Sequence, residues 1–246
     1  MKNEALSVCV GKGGQRDAAE SFARKNGVPL AEKQGDGLTL LYDASGVSLN
    51  GYGLTFRGDF TGMLHRLTEG RLQHEMLVHI SKTKNPAPRA IDATAGMGED
   101  SILLAAAGYD VIMYEQNTVI AALLKDALRR AKKDPVLKEI VPRMHLVEGN
   151  SIELMKELSF SPDVIYLDPM FPARQKTGLV NKKLQLIQKL EHPCVEEEAL
   201  LSSALSLNPE KTIIKRPLKG AFLAEKKPDY SVKGKAIRYD CIIRKI

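Results

Sequence analysis

The sequence predicts an α/β protein with a doubly wound, seven-stranded, mainly parallel sheet and a small α/β subdomain at the N-terminus. From residue 89 onward, short apolar runs alternate with longer amphipathic segments, which is typical of repeated strand–helix units. Residues 1–60 differ, because their apolar runs are separated by turns rich in Gly and Asn. The 246 residues are enough for one large domain and a smaller one.

The N-terminal part is predicted to combine strands and one helix. "LSVCV" (6–10) has the composition of a short strand, and "RDAAESFARKNG" (16–27) that of a helix ended by glycine. "LTLLYDASGVSLNGYGLTF" (38–56) alternates apolar runs with turns, which predicts an antiparallel meander. We therefore assign residues 1–60 to a small α/β subdomain.

A helical connector is predicted next. Within residues 62–83, apolar residues recur at a partly helical spacing, namely Leu64, Leu67, Leu72, Met76 and Ile80. Pro86 and Pro88 then interrupt the chain. The division predicted from these patterns is 1–60, a connector over 61–88 and a large domain over 89–246.

The large domain is predicted to alternate strands and helices. The predicted strands are 90–94, 110–115, 144–149, 163–168 and 212–217, and the predicted helices are 99–108, 118–133, 151–158 and 194–207. Two further strands, 230–234 and 237–246, are joined by a short turn. They predict an antiparallel hairpin at one edge of the sheet.

Charge and cysteine content limit the function classes. The net charge of +6 favours a polyanionic partner such as nucleic acid.

The cysteines Cys9, Cys194 and Cys241 are odd in number and form no CxxC pair, so we expect structural cysteines in a reducing compartment. The five histidines show no ligand pairing, which predicts no metal site. Without a signal-peptide pattern or a long apolar run, we expect a cytoplasmic protein that does not enter membranes. The sequence does not indicate the oligomeric state.

A glycine loop follows the first strand of the large domain. In "IDATAGMGED", Asp92, Gly96 and Gly98 fit the pattern D-x-G-x-G-x-G except that Thr94 replaces the first glycine. Such a loop lets the backbone approach a ligand at a helix N-terminus, although a tight turn without a ligand is also possible. Ser101 stands where a dinucleotide fingerprint has its third glycine.

The next two strand ends carry candidate nucleoside contacts. Glu115 ends the second strand, 23 residues after Asp92, where an acid can bind both hydroxyls of a ribose. Together with the glycine loop it predicts a nucleoside-containing cofactor, which could be a dinucleotide or S-adenosylmethionine. After the third strand, Asn150 and Ser151 could bind adenine or ribose, and Ser151 could equally cap the following helix.

The fourth strand ends in "DVIYLDPMFPARQK" (163–176). Asp168 and the carbonyl of Pro169 are acceptors for the two hydrogens of an exocyclic amine, and Phe171 offers a face on which a base can stack. The prolines restrict the backbone, so the acceptors are positioned before the substrate binds. We therefore predict Asp168, Pro169 and Phe171 as catalytic residues.

These residues carry a resemblance to a known family. "DPMF" resembles the [DNS]-P-P-[YFW] motif of amino-directed S-adenosylmethionine methyltransferases. With "DATAGMGED", "YEQNTVIAALLKDALRRA" and "IIKRP", the chain resembles the bacterial small-subunit ribosomal RNA guanine-N2 methyltransferases of the RsmJ type. The similarity is dense over residues 89–219 and thinner over 58–71 and 233–240.

The resemblance implies a Rossmann-like class I methyltransferase fold, S-adenosylmethionine as cofactor and ribosomal RNA or the small subunit as partner. The implied cofactor contacts are Glu99, Asp100, Glu115, Gln116, Asn150, Ser151 and Asp168. The family often has Arg where Glu99 and Gln116 stand, and Ser where Asn150 stands. Methyl transfer to the N2 amine of guanine follows from the resemblance.

Basic residues near the motif are the candidate RNA contacts. Those after the motif and at the next strand end are Arg174, Lys176, Lys182, Lys183, Lys215 and Arg216, and the resemblance adds His65 and Arg66. Three rival functions stay open: a DNA amino-methyltransferase, a nicotinamide-dependent oxidoreductase on the same fold, and a non-catalytic RNA-binding module.

Overall fold

The computed structural model describes residues 6–170, 184–190 and 194–244. Its strands are β1 Leu6–Val10, β2 Leu30–Ala31, β3 Leu38–Asp43, β4 Gly46–Gly51, β5 Leu54–Phe56, β6 Arg89–Asp92, β7 Asp110–Glu115, β8 Met144–Glu148, β9 Val164–Leu167, β10 Lys211–Pro217, β11 Tyr230–Lys233 and β12 Ile237–Ile243. Its α-helices are α1 Arg16–Asn26, α2 Leu64–Leu67, α3 Glu69–Leu72, α4 Met76–Ser81, α5 Glu99–Ala106, α6 Thr118–Ala131, α7 Leu137–Ile140, α8 Ser151–Lys156, α9 Leu184–Gln188 and α10 Glu197–Ser206. None of these helices is long and apolar enough to cross a membrane.

The large sheet has seven strands in the order β11-β12-β10-β9-β6-β7-β8. The five strands from β10 to β8 run parallel, and β12 is antiparallel to both β10 and β11. This confirms the predicted sheet and its terminal hairpin. The chain builds outward from β6 in one direction and from β9 in the other. Ligands of such sheets bind in the crevice where the order reverses, outside the carboxyl ends of the strands.

Side-chain alternation along the strands gives the sheet two apolar faces. On β9, Val164 and Tyr166 contribute to the core shared with α5, whereas Ile165 and Leu167 contribute to the core shared with α8 and α10. All four side chains are buried, as expected for a central parallel strand covered on both faces. The strand end is therefore a rigid support for the residues that follow it.

The N-terminal sheet has the order β2-β1-β3-β4-β5, and β3, β4 and β5 form the predicted meander. The short strand β2 was not predicted. The sheet packs on α6 through Val119, Ile120 and Leu123, while Leu124 and Leu128 of the same helix enter the core of the large sheet. Helix α6 therefore links the two sheets. The division at residues 60 and 88 stays a prediction.

The connector, predicted as helical, consists of several short helices rather than one continuous helix. It forms a 3-10 turn at Thr61–Met63 followed by α2, α3 and α4, with extended backbone at Thr68 and Glu75. Arg66 donates to both carboxylate oxygens of Glu75 at 2.8 and 2.7 Å. Residues nine apart would be separated by more than two turns of one straight helix, so this ion pair requires the bends.

Candidate functional site

A cavity of about 480 Å³ opens at the carboxyl ends of β6, β7, β8 and β9. Each of these four strand ends contributes to its lining, with Thr94 after β6, Glu115 ending β7, Asn150 after β8 and Asp168 after β9. Its volume is in the range of small-molecule sites. The sequence placed candidate ligand contacts at these four strand ends, and the fold brings them around one cavity.

The glycine loop between β6 and α5 forms one wall. Gly96 has a φ of +51°, and a Cβ built on it would meet no atom within 4 Å, so the loop backbone faces open space there. Gly98 has a φ of +75°, and its Cβ would approach Leu124 at 3.1 Å and Phe60 at 3.3 Å. Gly98 lies outside the cavity lining and permits close packing of the loop instead.

Asp92 lies beneath the loop and is 1% exposed. Its carboxylate accepts from the Thr94 amide at 3.1 Å and from the Ser101 hydroxyl at 2.5 Å. Burial raises the pKa of Asp92 to about 7. Asp92 was predicted as a cofactor contact, but it does not line the cavity. Its hydrogen bonds to Thr94 and Ser101 hold the glycine loop in place. Ser101, which stands where a dinucleotide fingerprint has a glycine, is thus a hydrogen-bond partner of Asp92.

Asp92→Asn is expected to become more stable relative to the parent protein as the pH rises from 5 to 8. The folded-state pKa of Asp92 is raised, so the folded protein must either retain a proton or bury a charge above the pKa of the unfolded chain. Asparagine avoids this cost while filling the same space. The parent protein loses about 3 kcal/mol relative to the variant over this range, so the difference in Tm should grow by roughly 5–10 °C in thermal denaturation.

The exposed Asp17 provides the control for this experiment, because Asp17→Asn changes the same chemical group without a buried charge. Its difference in Tm from the parent should stay constant over the same pH range. Equal pH dependence of the two variants would contradict the role assigned to the burial of Asp92.

Glu115 lies at the end of β7 and is 8% exposed. Its carboxylate oxygens accept from the Gly96 amide at 2.9 Å and from the Asn117 amide at 2.7 Å. Burial raises its pKa. A carboxylate has about four lone-pair sites, so acceptor capacity remains on both oxygens. Glu115 lines the cavity together with Gln116 and can accept from two neighbouring hydroxyls.

Asn150 and Ser151 also line the cavity. Asn150 is the N-cap of α8, and its side-chain oxygen accepts from the Ile152 amide at 2.9 Å. Ser151 is the first helical residue, so the expectation that it caps the helix was wrong by one position. Asn is among the strongest N-cap residues and takes that place.

Asp168 and Pro169 line the cavity after β9. The Asp168 amide donates to the Thr94 hydroxyl at 2.6 Å, which ties the fourth strand end to the glycine loop. Lys215 Nζ lies 2.9 Å from Asp168 Oδ2 and 2.7 Å from Asp100 Oδ2. Burial raises the pKa of Asp168, and the nearby Lys215 ammonium partly offsets this.

The other predicted contacts are placed as follows. Glu99 and Asp100 lie in the first turn of α5, outside the cavity lining. His65 is exposed and contacts the Gly62 carbonyl, and Arg66 pairs with Glu75. The predicted residues Phe171, Arg174, Lys176, Lys182 and Lys183 lie outside the described residues. The roles assigned to all of them stay predictions.

Arg216 is 3% exposed and donates to the Ala221 carbonyl at 2.8 Å. Its guanidinium also lies 3.5 Å from Glu197. These contacts connect β10 to the loop that follows it and to α10. Arg216 does not line the cavity, so its predicted RNA contact stays a prediction.

Sequence reasoning missed a second wall of the cavity. This wall is formed by Asn117, Leu190, Cys194, Val195, Glu196 and Leu200. The Asn117 side chain caps α6 and donates to the Leu190 carbonyl at 2.8 Å. Asn117 directly precedes the helix predicted over residues 118–133, so the sequence could have identified it as an N-cap. The others carry no local motif, and Cys194, predicted to be structural, enters the wall by donating its amide to Met170 O at 3.0 Å.

Among the described residues, no group of three or more His, Cys, Asp or Glu side chains could hold a metal ion. The polar groups of the cavity are instead carboxylates, amides and hydroxyls, which suit hydrogen bonding to an organic ligand.

Comparison with known proteins gives consistent matches. A family model described as "Putative SAM-dependent methyltransferase" matches residues 28–244. The chain is 37% identical to ribosomal RNA small subunit methyltransferase J of Pseudomonas fluorescens, over all of this chain and 95% of that protein. It is 38% identical to the protein of the same name from Pseudomonas syringae, over all of this chain and 92% of that protein. A crystal structure of a SAM-dependent methyltransferase from Neisseria gonorrhoeae is 29% identical, with a TM-score of 0.75 over 97% of this chain and 96% of the other.

Proposed function

We propose that this chain, which belongs to the ribosomal RNA small subunit methyltransferase J family of S-adenosylmethionine-dependent methyltransferases, methylates the exocyclic N2 amine of a guanine in small-subunit ribosomal RNA. One observation carries the proposal. The glycine loop, the ribose-type acid Glu115 and the amine acceptors Asp168 and Pro169 line the same cavity at the sheet's switch point.

The cavity fits S-adenosylmethionine, the cofactor of this family. Glu115 has free acceptor capacity for two ribose hydroxyls, and the open space at Gly96 allows close approach to the loop backbone. Ile120 and Ile152 offer apolar surface for the adenine, and Asn150 lies beside them with polar atoms. When bound, the cofactor supplies an electrophilic methyl group on a sulfonium sulfur.

Asp168 and Pro169 are proposed to hold the amine. The lone pair of an aromatic amine is delocalised, so the nitrogen is a weak nucleophile. Accepting its two hydrogens at the Asp168 carboxylate and the Pro169 carbonyl aims the lone pair and favours a pyramidal nitrogen. After transfer the nitrogen carries one proton too many. The Asp168 carboxylate, whose pKa burial raises, can accept that proton.

A guanine inside a folded RNA must leave its stack to reach these acceptors. We propose that Phe171, which follows the acceptors in sequence, stacks on the displaced base. The net charge of +6 favours attraction of the RNA backbone. In this proposal the protein acts in the cytoplasm, where ribosomal RNA is assembled into ribosomal subunits.

Deletion of the gene is expected to remove one N2-methylguanosine from small-subunit ribosomal RNA. Nuclease digestion followed by mass spectrometry would locate the missing methyl group. A plasmid copy of the parent protein should restore it, and an Asp168→Ala copy should not.

Purified protein should then be offered naked ribosomal RNA, the assembled small subunit and DNA, each with labelled cofactor. Label in N2-methylguanosine from either RNA substrate agrees with the proposal. Loss of a different modification in the deletion strain, or label in DNA alone, would contradict it.

A further inference from the structure

Lys215 was expected to contact RNA, but the fold places it between two carboxylates. Its side chain is 24% exposed, and Nζ lies 2.7 Å from Asp100 Oδ2 and 2.9 Å from Asp168 Oδ2. An ammonium group has three donors, and these contacts use two of them. Lys215 therefore binds carboxylates inside the site rather than lying at its rim.

Asp100, the second carboxylate that contacts Lys215, is held in place by the fold. Asp100 lies in the first turn of α5, where the helix dipole favours a negative charge. The same oxygen that binds Lys215 accepts from the Tyr166 hydroxyl at 2.6 Å. Tyr166 is 1% exposed on the central strand β9, and its ring lies 6.5 Å from that of Tyr239. Asp100 thus anchors the lysine, and the lysine reaches Asp168.

We propose that Lys215 is a positioning residue that orients the Asp168 carboxylate and keeps it ionised, with Asp100 and Tyr166 fixing the lysine. This inference rests on the proposed role of Asp168 as acceptor for the amine. It assigns Asp100 to the lysine rather than to the cofactor. The three charged groups carry one net negative charge, so an ionised Asp168 requires the lysine nearby.

The sign of the pH dependence follows from the groups around Asp168. These are Asp92, Asp100, Tyr166, Lys215, Arg216 and Tyr239. Burial raises the pKa of Asp168, Asp100 raises it further, and Lys215 and Arg216 lower it. Activity that needs the ionised carboxylate is lost as the pH falls through this pKa. Removing Lys215 raises the pKa of Asp168, so the loss begins at higher pH.

Lys215→Met is expected to lower kcat about tenfold near pH 6.5 and less at pH 9, with KM for RNA nearly unchanged. Lys215→Arg keeps the charge and should recover much of the activity and the parent pH profile. Lys227→Met, at an exposed lysine, should behave as the parent protein. A uniform loss at all pH values in Lys215→Met, without recovery in Lys215→Arg, would overturn the proposal.

Binding of RNA distinguishes the two roles of Lys215. A lysine that contacts a phosphate contributes to the salt dependence of binding, so its removal would reduce the slope of log K against log salt by about 0.7–0.9. The proposal expects the same slope for Lys215→Met and the parent protein. A reduced slope would return Lys215 to the RNA interface.

A measurement without substrate separates this inference from the proposed function. Titration of aspartate carboxyl groups by carbon-13 NMR, with Asp168→Asn to assign the signal, should show Asp168 titrating at higher pH in Lys215→Met. An unchanged titration would refute the role of Lys215 even if ribosomal RNA is the substrate. A shifted titration in a protein that does not methylate ribosomal RNA would refute only the proposed function.

Discussion

Asp168→Asn is expected to reduce kcat for methyl transfer by about 100- to 1,000-fold, with the cofactor affinity changed only a few-fold. The amide keeps the shape of the side chain, but it is a weaker acceptor and cannot take up the proton released from the amine. Single-turnover transfer of labelled methyl groups would measure the rate, and calorimetry would measure cofactor binding. Retention of full activity would show that Asp168 is not the acceptor proposed for the amine.

Asp110→Asn is the matched control for this substitution. Asp110 is an exposed aspartate at the start of β7, on the opposite edge of the sheet from the cavity, and its neighbour is His145 at 2.6 Å. We expect parent activity in this variant. Asp168 also holds the glycine loop, because its backbone amide donates to the Thr94 hydroxyl. Thermal denaturation of both variants would therefore show whether a loss of activity reflects unfolding.

Glu115 and Asp168 could be predicted from sequence because their positions depend on a local rule. Each is the polar residue that ends an apolar run, and parallel strands bring such ends to one edge of the sheet. The order of strands and helices then fixes which ends are neighbours. Local periodicity therefore predicted most of the large sheet and the four strand ends that line the cavity.

The partners of a side chain could not be predicted in this way. Lys215 lies near the end of β10, so the same rule placed it at the rim of the site. Its actual environment depends on Asp100 from α5, which is 115 residues away in sequence.

The second wall of the cavity shows the remaining limit. Leu190 and Cys194 reach the cavity through backbone carbonyl contacts, to Asn117 and Met170 respectively. Leu190 and Cys194 make these contacts through their own backbone atoms, so their side chains leave no residue pattern in the sequence. Such positions become visible only when the chain is folded.

Glu115→Ala is expected to weaken S-adenosylmethionine binding by about 100-fold or more. Hydrogen bonds to a charged acceptor contribute about 1.5–3 kcal/mol each, and two ribose hydroxyls would lose their acceptor. About 3 kcal/mol corresponds to roughly a hundredfold change in Kd. Glu115→Gln keeps one acceptor oxygen, so its cofactor affinity should lie between those of the parent protein and Glu115→Ala. Isothermal titration calorimetry would measure all three proteins.

Glu148→Ala provides the matched control. Glu148 ends the neighbouring strand β8 directly opposite Glu115, but it is exposed, pairs with Lys25 at 2.9 Å and lies outside the cavity lining. We expect it to bind the cofactor as the parent protein does. Equal loss of affinity in the two alanine variants would point to the strand ends rather than to the carboxylate in the cavity.

Loop disorder is the competing explanation for Glu115→Ala, because the amides of Gly96 and Asn117 also lose their acceptor. A cofactor product lacking both ribose hydroxyls, 2′,3′-dideoxy-S-adenosylhomocysteine, separates the two effects. The parent protein should bind it far more weakly than S-adenosylhomocysteine, whereas Glu115→Ala should hardly distinguish them. If the variant still distinguishes them as strongly as the parent does, the hydroxyls bind elsewhere and Glu115 acts only by holding the glycine loop.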